Sequence, residues 1–225
     1  MLEAKKSLWF EKVFAIYNRN LLRRRFHSLS ISGLHYLEIR EAKMPLIIYA
    51  NHSSWWDGLV ISEILRKFDF DNYVMMEEKH LRKLRLFRKL GAFSVVRENP
   101  RDALRSIEYA ASLLTEKANR MLLIFPQGKI FPNDVRPLFF YTGLARIVEK
   151  IIRCSVVPIA IRYEVAGHFK PEIFVKIGEP ESFDVDKKRS AKNLNENFEI
   201  RLTNTLEHLR QDIICNHTAE YERFF

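Results

Sequence analysis

The sequence predicts an α/β fold with a central, mostly parallel or mixed sheet that is flanked by helices. Short apolar runs typical of buried strands alternate along the chain with longer stretches in which apolar residues recur every three or four positions, as in amphipathic helices. Hydrophobic residues make up 47% of the 225 residues, and Gly and Pro are few. These features predict a packed core in one domain, or in one domain with attached helices, rather than a disordered chain.

The first helix is predicted over residues 3–26. Apolar side chains recur along it at threes and fours, and three consecutive arginines at 23–25 crowd its C-terminal end, where cations suit the helix dipole. Trp and Phe on one face with Lys and Arg on the other are typical of a helix in a membrane interface, although a helix packed on the core shows the same pattern. We expect residues 1–30 to form an N-terminal amphipathic helix able to associate with a membrane, and residues 31–225 to form the domain, which ends in a C-terminal helix.

The rest of the chain reads as strands separated by helices and turns. Asn99 is a good N-cap for a helix with Pro100 at its first position. Gly143, inside another predicted helix, suggests a close approach to a neighbouring element, and Pro158 implies an edge strand or a bulge. The predicted strands cover residues 34–40, 46–50, 73–76, 92–96, 121–125, 155–163 and 173–177. The further predicted helices cover residues 59–68, 80–90, 100–118, 138–152 and 187–214.

The net charge of +9 is concentrated in two stretches. Residues 1–27 carry seven Lys or Arg and two Glu, and residues 79–97 carry seven Lys or Arg and no acidic residue. A localised basic surface indicates a polyanionic partner, which can be an anionic membrane, nucleic acid or a phosphorylated substrate; a merely solvated basic face is the simpler alternative. Because no nucleic-acid-reading motif is recognisable, we expect an anionic membrane surface as the partner, and no nucleic acid.

The spacing of the cysteines and the lengths of the apolar runs indicate the cellular compartment of the protein. No apolar run approaches the roughly 18 to 20 residues that span a bilayer, and charged residues interrupt the N-terminus where a signal peptide would need an apolar core. Cys154 and Cys215 form no Cys-x-x-Cys pair, so neither a disulfide framework nor a zinc site is indicated. We expect a cytoplasmic protein, peripheral on the inner face of the membrane.

The stretch with the clearest chemistry is Asn-His-Ser-Ser-Trp-Trp-Asp at residues 51–57, directly after the apolar run at 46–50. His52 and Asp57 can meet if the His lies in the turn after the strand and the Asp lies in the first turn of the next helix. An Asp that holds one imidazole nitrogen leaves the other free to take a proton from a hydroxyl. The spacing alone also allows a loop His beside a helical Asp with no reaction at all.

Four stretches, in this order, resemble the signature blocks of the glycerolipid acyltransferase family, whose type member acylates 1-acylglycerol-3-phosphate. They are Asn-His-Ser-Ser-Trp-Trp-Asp at 51–57, Gly-Ala-Phe-Ser-Val-Val-Arg at 91–97, Phe-Pro-Gln-Gly-Lys-Ile at 125–130 and Val-Pro-Ile at 157–159. The resemblance implies a glycerol-phosphate acyltransferase-like fold. It also implies an O-acyltransferase that moves a fatty acyl group from acyl-CoA or acyl carrier protein to a hydroxyl of a lysophospholipid or related lipid, with acyl carrier protein as a further partner.

The resemblance also assigns residues to roles. His52 would be the general base and Asp57 would position it and stabilise its charge. Backbone N–H groups at the start of the following helix would supply donors for the oxyanion. Arg97 would contact the phosphate of the acceptor, since a guanidinium offers a planar fork of donors. The loop residues Gln127, Gly128 and Lys129 would bind substrate, and neither a metal nor a cofactor is implied.

The third block departs from the family pattern, which is usually Phe-Pro-Glu-Gly-Thr-Arg. Gln127 stands for the Glu, Lys129 for the Thr and Ile130 for the Arg. The departure weakens the case for a simple glycerol-phosphate acceptor. Another lysolipid, a hydroxylated lipid or a glycolipid remains open as the acceptor. It also leaves open a non-catalytic, lipid-binding relative of the same fold, against which the intact pair of His52 and Asp57 argues. A nucleotide-binding P-loop is excluded, because the position five residues before Gly128, where that motif requires a Gly, is Leu123.

Overall fold

The computed structural model describes residues 1–38, 44–165, 167–184 and 190–225, which form an α/β domain. The strands are β1 (Ser28–Ser32), β2 (Leu46–Ala50), β3 (Asp71–Glu77), β4 (Ala92–Val95), β5 (Arg120–Ile124), β6 (Cys154–Glu164), β7 (Glu172–Ile177), β8 (Glu181–Phe183) and β9 (Glu222–Arg223). The α-helices are α1 (Leu8–Arg25), α2 (His35–Glu38), α3 (Asp57–Leu65), α4 (Glu78–Lys83), α5 (Pro100–Glu116), α6 (Gly143–Lys150) and α7 (Ala191–Ile214). Short 3₁₀ helices cover Arg85–Leu90 and His217–Glu220.

In the described part of the chain the strands form one nine-stranded sheet in the order β4-β3-β5-β2-β6-β7-β1-β9, with β8 also paired to β6. The strands from β4 to β6 run parallel to one another, β7 is antiparallel to β6, and β1 is parallel to β7. The expected fold, a mostly parallel or mixed sheet flanked by helices, is confirmed. Because β2, β3, β4 and β5 end at the same edge, the residues that follow them come together where open α/β sheets bind ligands.

Both faces of the sheet are buried, as the central strand β2 shows. Ile47 and Tyr49 belong to the core that α5, α6 and α7 cover, whereas Leu46 and Ile48 belong to the core on the side of α1 and α3. Successive side chains alternate between the two faces because a strand has a two-residue period. The unbroken apolar run of β2 is therefore the pattern of a strand buried on both sides, and it gives the residues after it a rigid base.

Pro158 lies inside the sheet, so the expectation of an edge strand or a bulge is wrong. On one side β6 pairs continuously with β2. On its other side β8 pairs with β6 as far as Val156, and β7 pairs with it from Ile159 onward. The Pro158 carbonyl accepts the N–H of Gly178 at 2.9 Å. The ring nitrogen of Pro158 faces the same side as its carbonyl, and on that side pairing with β8 ends and pairing with β7 begins. The N–H that proline lacks therefore interrupts no continuous ladder of hydrogen bonds.

The prediction of a strand over residues 34–40 is also wrong. β1 lies before the turn at Gly33, and the chain then forms the short helix α2, while residues 39 and 40 lie outside the described residues. Gly33 has a φ of 80°, which redirects the backbone. Leu34 and Leu37 are both buried three positions apart, which is helical spacing rather than the alternation of a strand.

Other predicted helices differ in extent. α6 begins at Gly143, and a Cβ added there would meet no atom within 4 Å, so the expected close approach is wrong. The basic helix predicted at 80–90 divides into α4 and a 3₁₀ helix that stops at Gly91, where φ is 92° and a Cβ would lie 2.3 Å from a carbonyl oxygen of β3. α7 begins at Ala191, and its predicted first residues 187–189 lie outside the described residues.

The two faces of α1 differ in exposure. On the inner side Leu22 is buried, and the side-chain amide of Asn18 donates to the carbonyl of Leu59 in α3 at 2.9 Å. The other side exposes large apolar side chains, namely Leu8, Trp9, Val13, Ile16 and Tyr17. Within the described ranges, no helix combines the length and the apolar content that crossing a membrane requires.

Candidate active site

The structure brings His52 and Asp57 together at the carboxyl edge of the sheet. His52 lies in the turn after β2, and Asp57 is the first residue of α3. The imidazole Nδ1 and the carboxylate Oδ2 are 2.9 Å apart. Asp57 is fully buried, and the His52 side chain keeps 23% of its surface exposed. The carboxylate at a helix N-terminus is favourably placed in the field of the helix dipole, and the imidazole it holds remains accessible to a ligand.

Asp57 accepts hydrogen bonds at both oxygens. Oδ2 accepts the backbone N–H groups of Ser53 at 2.7 Å and Ser54 at 2.8 Å, in addition to its contact with His52. Oδ1 accepts the hydroxyl of Tyr163 at 2.6 Å. Since both backbone groups and the hydroxyl are donors, Asp57 acts as a carboxylate acceptor throughout.

This hydrogen-bond pattern assigns the proton on the imidazole. A carboxylate oxygen that already accepts two N–H groups can contact Nδ1 of His52 only as an acceptor, so Nδ1 carries the proton. Nε2 then has a free lone pair and can take a proton from a bound hydroxyl. The ring also stacks on Phe125 with centroids 4.4 Å apart, which fixes its plane.

The two N–H groups directly after His52 are not available for an oxyanion. Both Ser53 and Ser54 direct them at the carboxylate of Asp57. The expectation that the start of the following helix supplies oxyanion donors is therefore not met by these two groups, because orienting the Asp has taken them. The cations on the wall of the cavity described below are another source of positive charge.

Gln127 lies behind His52 rather than facing the cavity. Its Oε1 accepts the backbone N–H of His52 at 2.8 Å, and the residue is only 2% exposed. The carbonyl of His52 in turn accepts the N–H of Phe131 at 2.8 Å. The loop after β5 therefore holds the backbone of His52 on both sides.

Asn51, which sequence reasoning left without a role, fastens the end of β2 to β6. Its Oδ1 accepts the N–H of Ile161 at 2.8 Å, and its Nδ2 donates to the carbonyl of the same residue at 2.9 Å. Nδ2 also donates to Oδ1 of Asn133 at 2.9 Å. The side chain thereby continues the β2–β6 ladder by one step and positions the turn that carries His52. An Asn directly after an apolar run and directly before the His was the signal available in the sequence.

Arg97 follows β4 and crosses to the loop after β5. Its Nη1 donates to the carbonyl of Gly128 at 2.7 Å, and its Nη2 donates to Oε2 of Glu77 at 2.8 Å. The guanidinium lies over the ring of Tyr141, 4.9 Å from the centroid. A guanidinium has five N–H donors, so these two bonds do not exhaust its capacity to bind an anion.

Gly128 and Lys129 complete the loop. Gly128 has a φ of 67°, and a Cβ there would lie 1.8 Å from Nη1 of Arg97, so only glycine fits against the guanidinium. Lys129 is exposed, and its Nζ lies over the ring of Phe131 at 5.0 Å from the centroid. Lys129 therefore stands on the loop that also holds the backbone of His52, and the guanidinium of Arg97 lies against the same loop.

A cavity of about 850 Å³ opens beside these residues. His52, Arg97, Gly128 and Lys129 all belong to its wall. Side chains of α3, β3, β5 and α5 form most of the remaining wall, and they are largely apolar, among them Leu59, Val74, Met75, Leu104, Ile107 and Leu123. The volume lies within the roughly 300–1,000 Å³ of typical ligand sites. An apolar compartment that has the imidazole and the cations Arg97 and Lys129 on its wall suits a ligand with a hydrocarbon tail and an anionic group.

In the part of the chain that the structure describes, the side chains of His27, His168 and Glu172 place possible metal-binding atoms within 4.8 Å of one another. The two imidazole rings are stacked with centroids 3.6 Å apart and planes 15° apart. A metal ion lies in the plane of each imidazole that binds it, so two stacked parallel rings cannot both direct a lone pair at one ion. The cluster carries no metal proposal, and the lack of a metal requirement stays a prediction.

Comparison with known proteins adds an independent observation. The model of the acyltransferase family matches residues 31–162, more than half of the chain. The chain is 28% identical over 162 residues to 1-acyl-sn-glycerol-3-phosphate acyltransferase from Streptococcus pneumoniae, in an alignment that covers 69% of this chain and 56% of that protein. It is also 28% identical over 106 residues to the probable ATP-dependent RNA helicase DHR2 from Saccharomyces cerevisiae, covering 44% of this chain and 14% of that protein.

The chain thus spans little more than half the length of the first relative and a small part of the second. The segment that matches the family model contains His52, Asp57, Arg97 and the loop at 127–129. The chain therefore belongs to the acyltransferase family, and the resemblance to glycerolipid acyltransferases that its sequence shows is confirmed.

Proposed function

We propose that this protein is an O-acyltransferase that moves a fatty acyl group from a thioester to a hydroxyl of a lysophospholipid or a related lipid. The observation that carries the proposal is the contact of His52 with Asp57, 2.9 Å long, on the wall of a largely apolar cavity of about 850 Å³. The imidazole supplies a base with an accessible nitrogen, and the cavity has room for a hydrocarbon tail. Family membership supports the same reaction class.

The reaction follows from the assigned proton positions. Nε2 of His52 takes the proton of the acceptor hydroxyl as its oxygen attacks the thioester carbonyl, and the imidazolium that forms is stabilised by Asp57. The tetrahedral intermediate collapses with cleavage of the carbon–sulfur bond, and the imidazolium returns its proton to the leaving thiolate. A thioester is already activated, so no covalent enzyme intermediate is needed, and Ser53 and Ser54 serve Asp57 instead.

Arg97 and Lys129 are proposed to bind the anionic part of the substrates. Arg97 is anchored by Glu77 and by the carbonyl of Gly128, which directs the guanidinium along the cavity wall. Gln127 has no charge and faces His52, so it contributes through the backbone rather than by contact with a lipid headgroup. The positive charges of Arg97 and Lys129 beside an apolar wall support a phosphate-bearing lysolipid as the proposed acceptor.

The acyl donor is proposed to be acyl-CoA or acyl carrier protein. Lys79 and His80, at the start of α4, belong to the cavity wall, and the basic 3₁₀ helix Arg85–Leu90 follows them. A basic surface next to the cavity suits the phosphates of CoA as well as an acidic carrier protein. Donor competition assays with the two thioesters distinguish them.

The membrane is the proposed location of the lipid substrates. Trp9 and Ile16 on α1 are 70% and 66% exposed, and basic residues of the same helix, among them Arg23 and Arg24, lie in its last turn. Apolar side chains flanked by cations suit a helix that lies on an anionic surface. We propose that the protein is cytoplasmic and binds the inner face of the membrane through α1, and that nucleic acid is not a partner.

The test is acyl transfer by the purified protein, followed by mass spectrometry of the lipid products. Palmitoyl-CoA or palmitoyl-acyl carrier protein is the donor, and lysophosphatidic acid, lysophosphatidylglycerol and a glycolipid are tried as acceptors. His52→Ala should lower turnover by about 10²–10⁴-fold, the usual contribution of a general base. His208→Ala is the control, since this imidazole is exposed on α7 and does not belong to the described wall of the cavity, and it should retain near-normal turnover.

The outcomes separate the proposed enzyme from a lipid-binding relative. Transfer by the wild type that is lost in His52→Ala supports the enzyme. Tight lipid binding with no transfer from either thioester to any acceptor contradicts it and favours the non-catalytic alternative. Equal activity of wild type and His52→Ala would show that the reaction does not depend on this imidazole.

A further inference from the structure

Tyr163 stands on β6 and donates its hydroxyl to Asp57 Oδ1 at 2.6 Å. Burial, together with the charge of Asp57, raises the pKa of the Tyr163 hydroxyl well above its usual range. The hydroxyl therefore stays protonated over the whole pH range in which proteins work, and it remains a donor. It gives Asp57 a partner on the oxygen that does not face His52.

Tyr163 is separated from the space that a substrate would occupy. His52 belongs to the cavity wall, and among the described residues that form this wall Tyr163 is absent. The Tyr163 ring packs on Phe26 with centroids 5.7 Å apart, and Phe26 in turn packs edge-on against Trp56 at 5.3 Å. The hydroxyl therefore lies behind the cavity wall, where it contacts Asp57 and the side chain of Ser54, and we expect it to act on His52 through Asp57. Tyr163 also lies just beyond the segment that matches the acyltransferase family model.

We propose that Tyr163 is a positioning residue for acyl transfer. By donating to Oδ1 of Asp57, its hydroxyl keeps Oδ2 directed at Nδ1 of His52. The same hydrogen bond reduces the negative charge of the carboxylate that faces the imidazole. The torsion that turns a carboxylate has broad minima, so an Asp held at one oxygen only can rotate. Backbone N–H groups of Ser53 and Ser54 hold Oδ2, and the Tyr163 hydroxyl holds Oδ1, so the two oxygens keep distinct roles. The inference rests on the proposed function, in which His52 is the base.

Loss of the hydroxyl has two expected effects. The first is misorientation of the pair of Asp57 and His52, which slows the chemical step. The second is a stronger negative charge on the carboxylate, because a hydrogen-bond donor to its charged form has gone. A more negative Asp57 favours the imidazolium form of His52, so the free base is lost at higher pH than in the wild type.

The experiment compares Tyr163→Phe with Tyr221→Phe under steady-state conditions. Tyr221 offers a matched control, because its hydroxyl donates to Oδ2 of Asp212 at 2.7 Å and the residue is also buried. Tyr163→Phe should lower kcat about tenfold, the effect expected for a hydrogen bond to a charged group. The KM for both substrates should stay unchanged, and the acid limb of the kcat/KM profile should move to higher pH. Tyr221→Phe should change neither kcat nor the profile.

A second substitution shows whether the hydroxyl acts through Asp57. In an Asp57→Asn background, Tyr163→Phe should cause no further loss of kcat, since the carboxylate it serves is absent. An equal loss in both backgrounds would overturn the proposal. So would a Tyr163→Phe variant with the wild-type kcat and pH profile.

Stability is measured alongside by thermal unfolding, and Tyr163→Met serves as a second variant that lacks the hydroxyl. If both variants fail to fold while Tyr221→Phe folds, the hydroxyl serves the structure alone and the proposal is overturned. The proposed function is tested by a different result, because it requires that the wild type transfers acyl groups and that His52→Ala does not. An active wild type with an inactive His52→Ala and an unaffected Tyr163→Phe would reject only the role of Tyr163.

Discussion

The side-chain oxygen of Gln127 accepts the backbone N–H of His52 at 2.8 Å, so a residue of the third sequence block supports the first block from behind. This contact needs an acceptor atom and no charge. A Glu, which the family usually has here, and a Gln can both provide it. The replacement therefore removes a negative charge from beneath the site and keeps the support of the His52 backbone.

Gln127 gives the first prediction. Gln127→Leu should leave the N–H of His52 buried without an acceptor and should cost about 1–3 kcal/mol of stability. Its turnover should fall further than that of Gln127→Glu, which retains the accepting oxygen. Thermal unfolding and steady-state kinetics of the two variants test this order. Equal turnover in Leu and Glu variants would show that the contact has no bearing on His52.

Asp57→Asn should reduce turnover by about 10³–10⁴-fold with little change in KM, as in hydrolases whose orienting Asp is replaced by Asn. The amide would turn a donor toward either Nδ1 of His52 or the N–H groups of Ser53 and Ser54, so the proton on the imidazole would be misplaced. Asp69→Asn is the control, because this exposed Asp precedes β3 and lies outside the site. An Asp57→Asn variant as active as Asp69→Asn would contradict the assigned role.

Gly128→Ala should act on Arg97. The added methyl would fall 1.8 Å from Nη1 of Arg97 and would also be held at a φ of 67°, so the guanidinium must leave its place. We expect the KM for a phosphate-bearing acceptor to rise about tenfold or more, the effect of losing one charge-assisted hydrogen bond. Arg97→Ala should give a similar rise.

Gly167→Ala is the control for Gly128→Ala. Gly167 also has a positive φ, of 74°, but it lies outside the described wall of the cavity, and a Cβ there would meet no atom within 4 Å. The acceptor KM should be that of the wild type in this variant. A normal acceptor KM in Gly128→Ala would show that Arg97 does not bind the acceptor.

Membrane binding through α1 is tested by flotation with vesicles of phosphatidylcholine and phosphatidylglycerol. Replacing both Trp9 and Ile16 by Ser should reduce the bound fraction severalfold, because two large apolar side chains no longer enter the interface. Ile152→Ser is the control, since Ile152 is 67% exposed but follows α6 on the opposite face of the sheet. Equal loss in both proteins would mean that binding is a general property of the surface. Addition of salt should weaken binding of the wild type.

Asp212 predicts an acid dependence of stability away from the site. Burial alone would raise its pKa, but the Lys176 ammonium at 2.6 Å and the Tyr221 hydroxyl at 2.7 Å outweigh burial and hold the pKa below its ordinary value. A carboxyl with a lowered folded pKa contributes stability above its unfolded pKa of about 3.9, and this contribution is lost as pH falls through the folded value.

Asp212→Asn should accordingly lower the free energy of unfolding by about 1 kcal/mol at pH 7, given the partial exposure of the pair. The difference from the wild type should shrink below about pH 4. Urea unfolding at pH 7 and pH 3 measures both values. A loss of the same size at the two pH values would show that the charge of Asp212 does not contribute.

The sequence predicted the contact of His52 with Asp57, because it depends on a local turn between one strand and the next helix. The strands β2, β4 and β5 and the helix after Asn99 were also predictable from apolar runs and capping residues. Pro158 was misread because its role depends on which strands lie beside β6, and no local pattern encodes that. The direction of the Gln127 side chain could not be predicted for a related reason, since spacing does not say whether a loop side chain faces the cavity or the backbone behind it. Tyr163 had no sequence signal, because its contact spans 106 positions.

Asn51 has a consequence for substrate selection. Its amide ties the His52 turn to Ile161, and Tyr163, two residues further along β6, ties Asp57 to the same strand. Under the proposed function, the sheet aligns the base and its carboxylate without help from a bound lipid. Selection among acceptors would then depend on entry and fit in the cavity, so an ill-fitting alcohol that does enter would be acylated rather than refused.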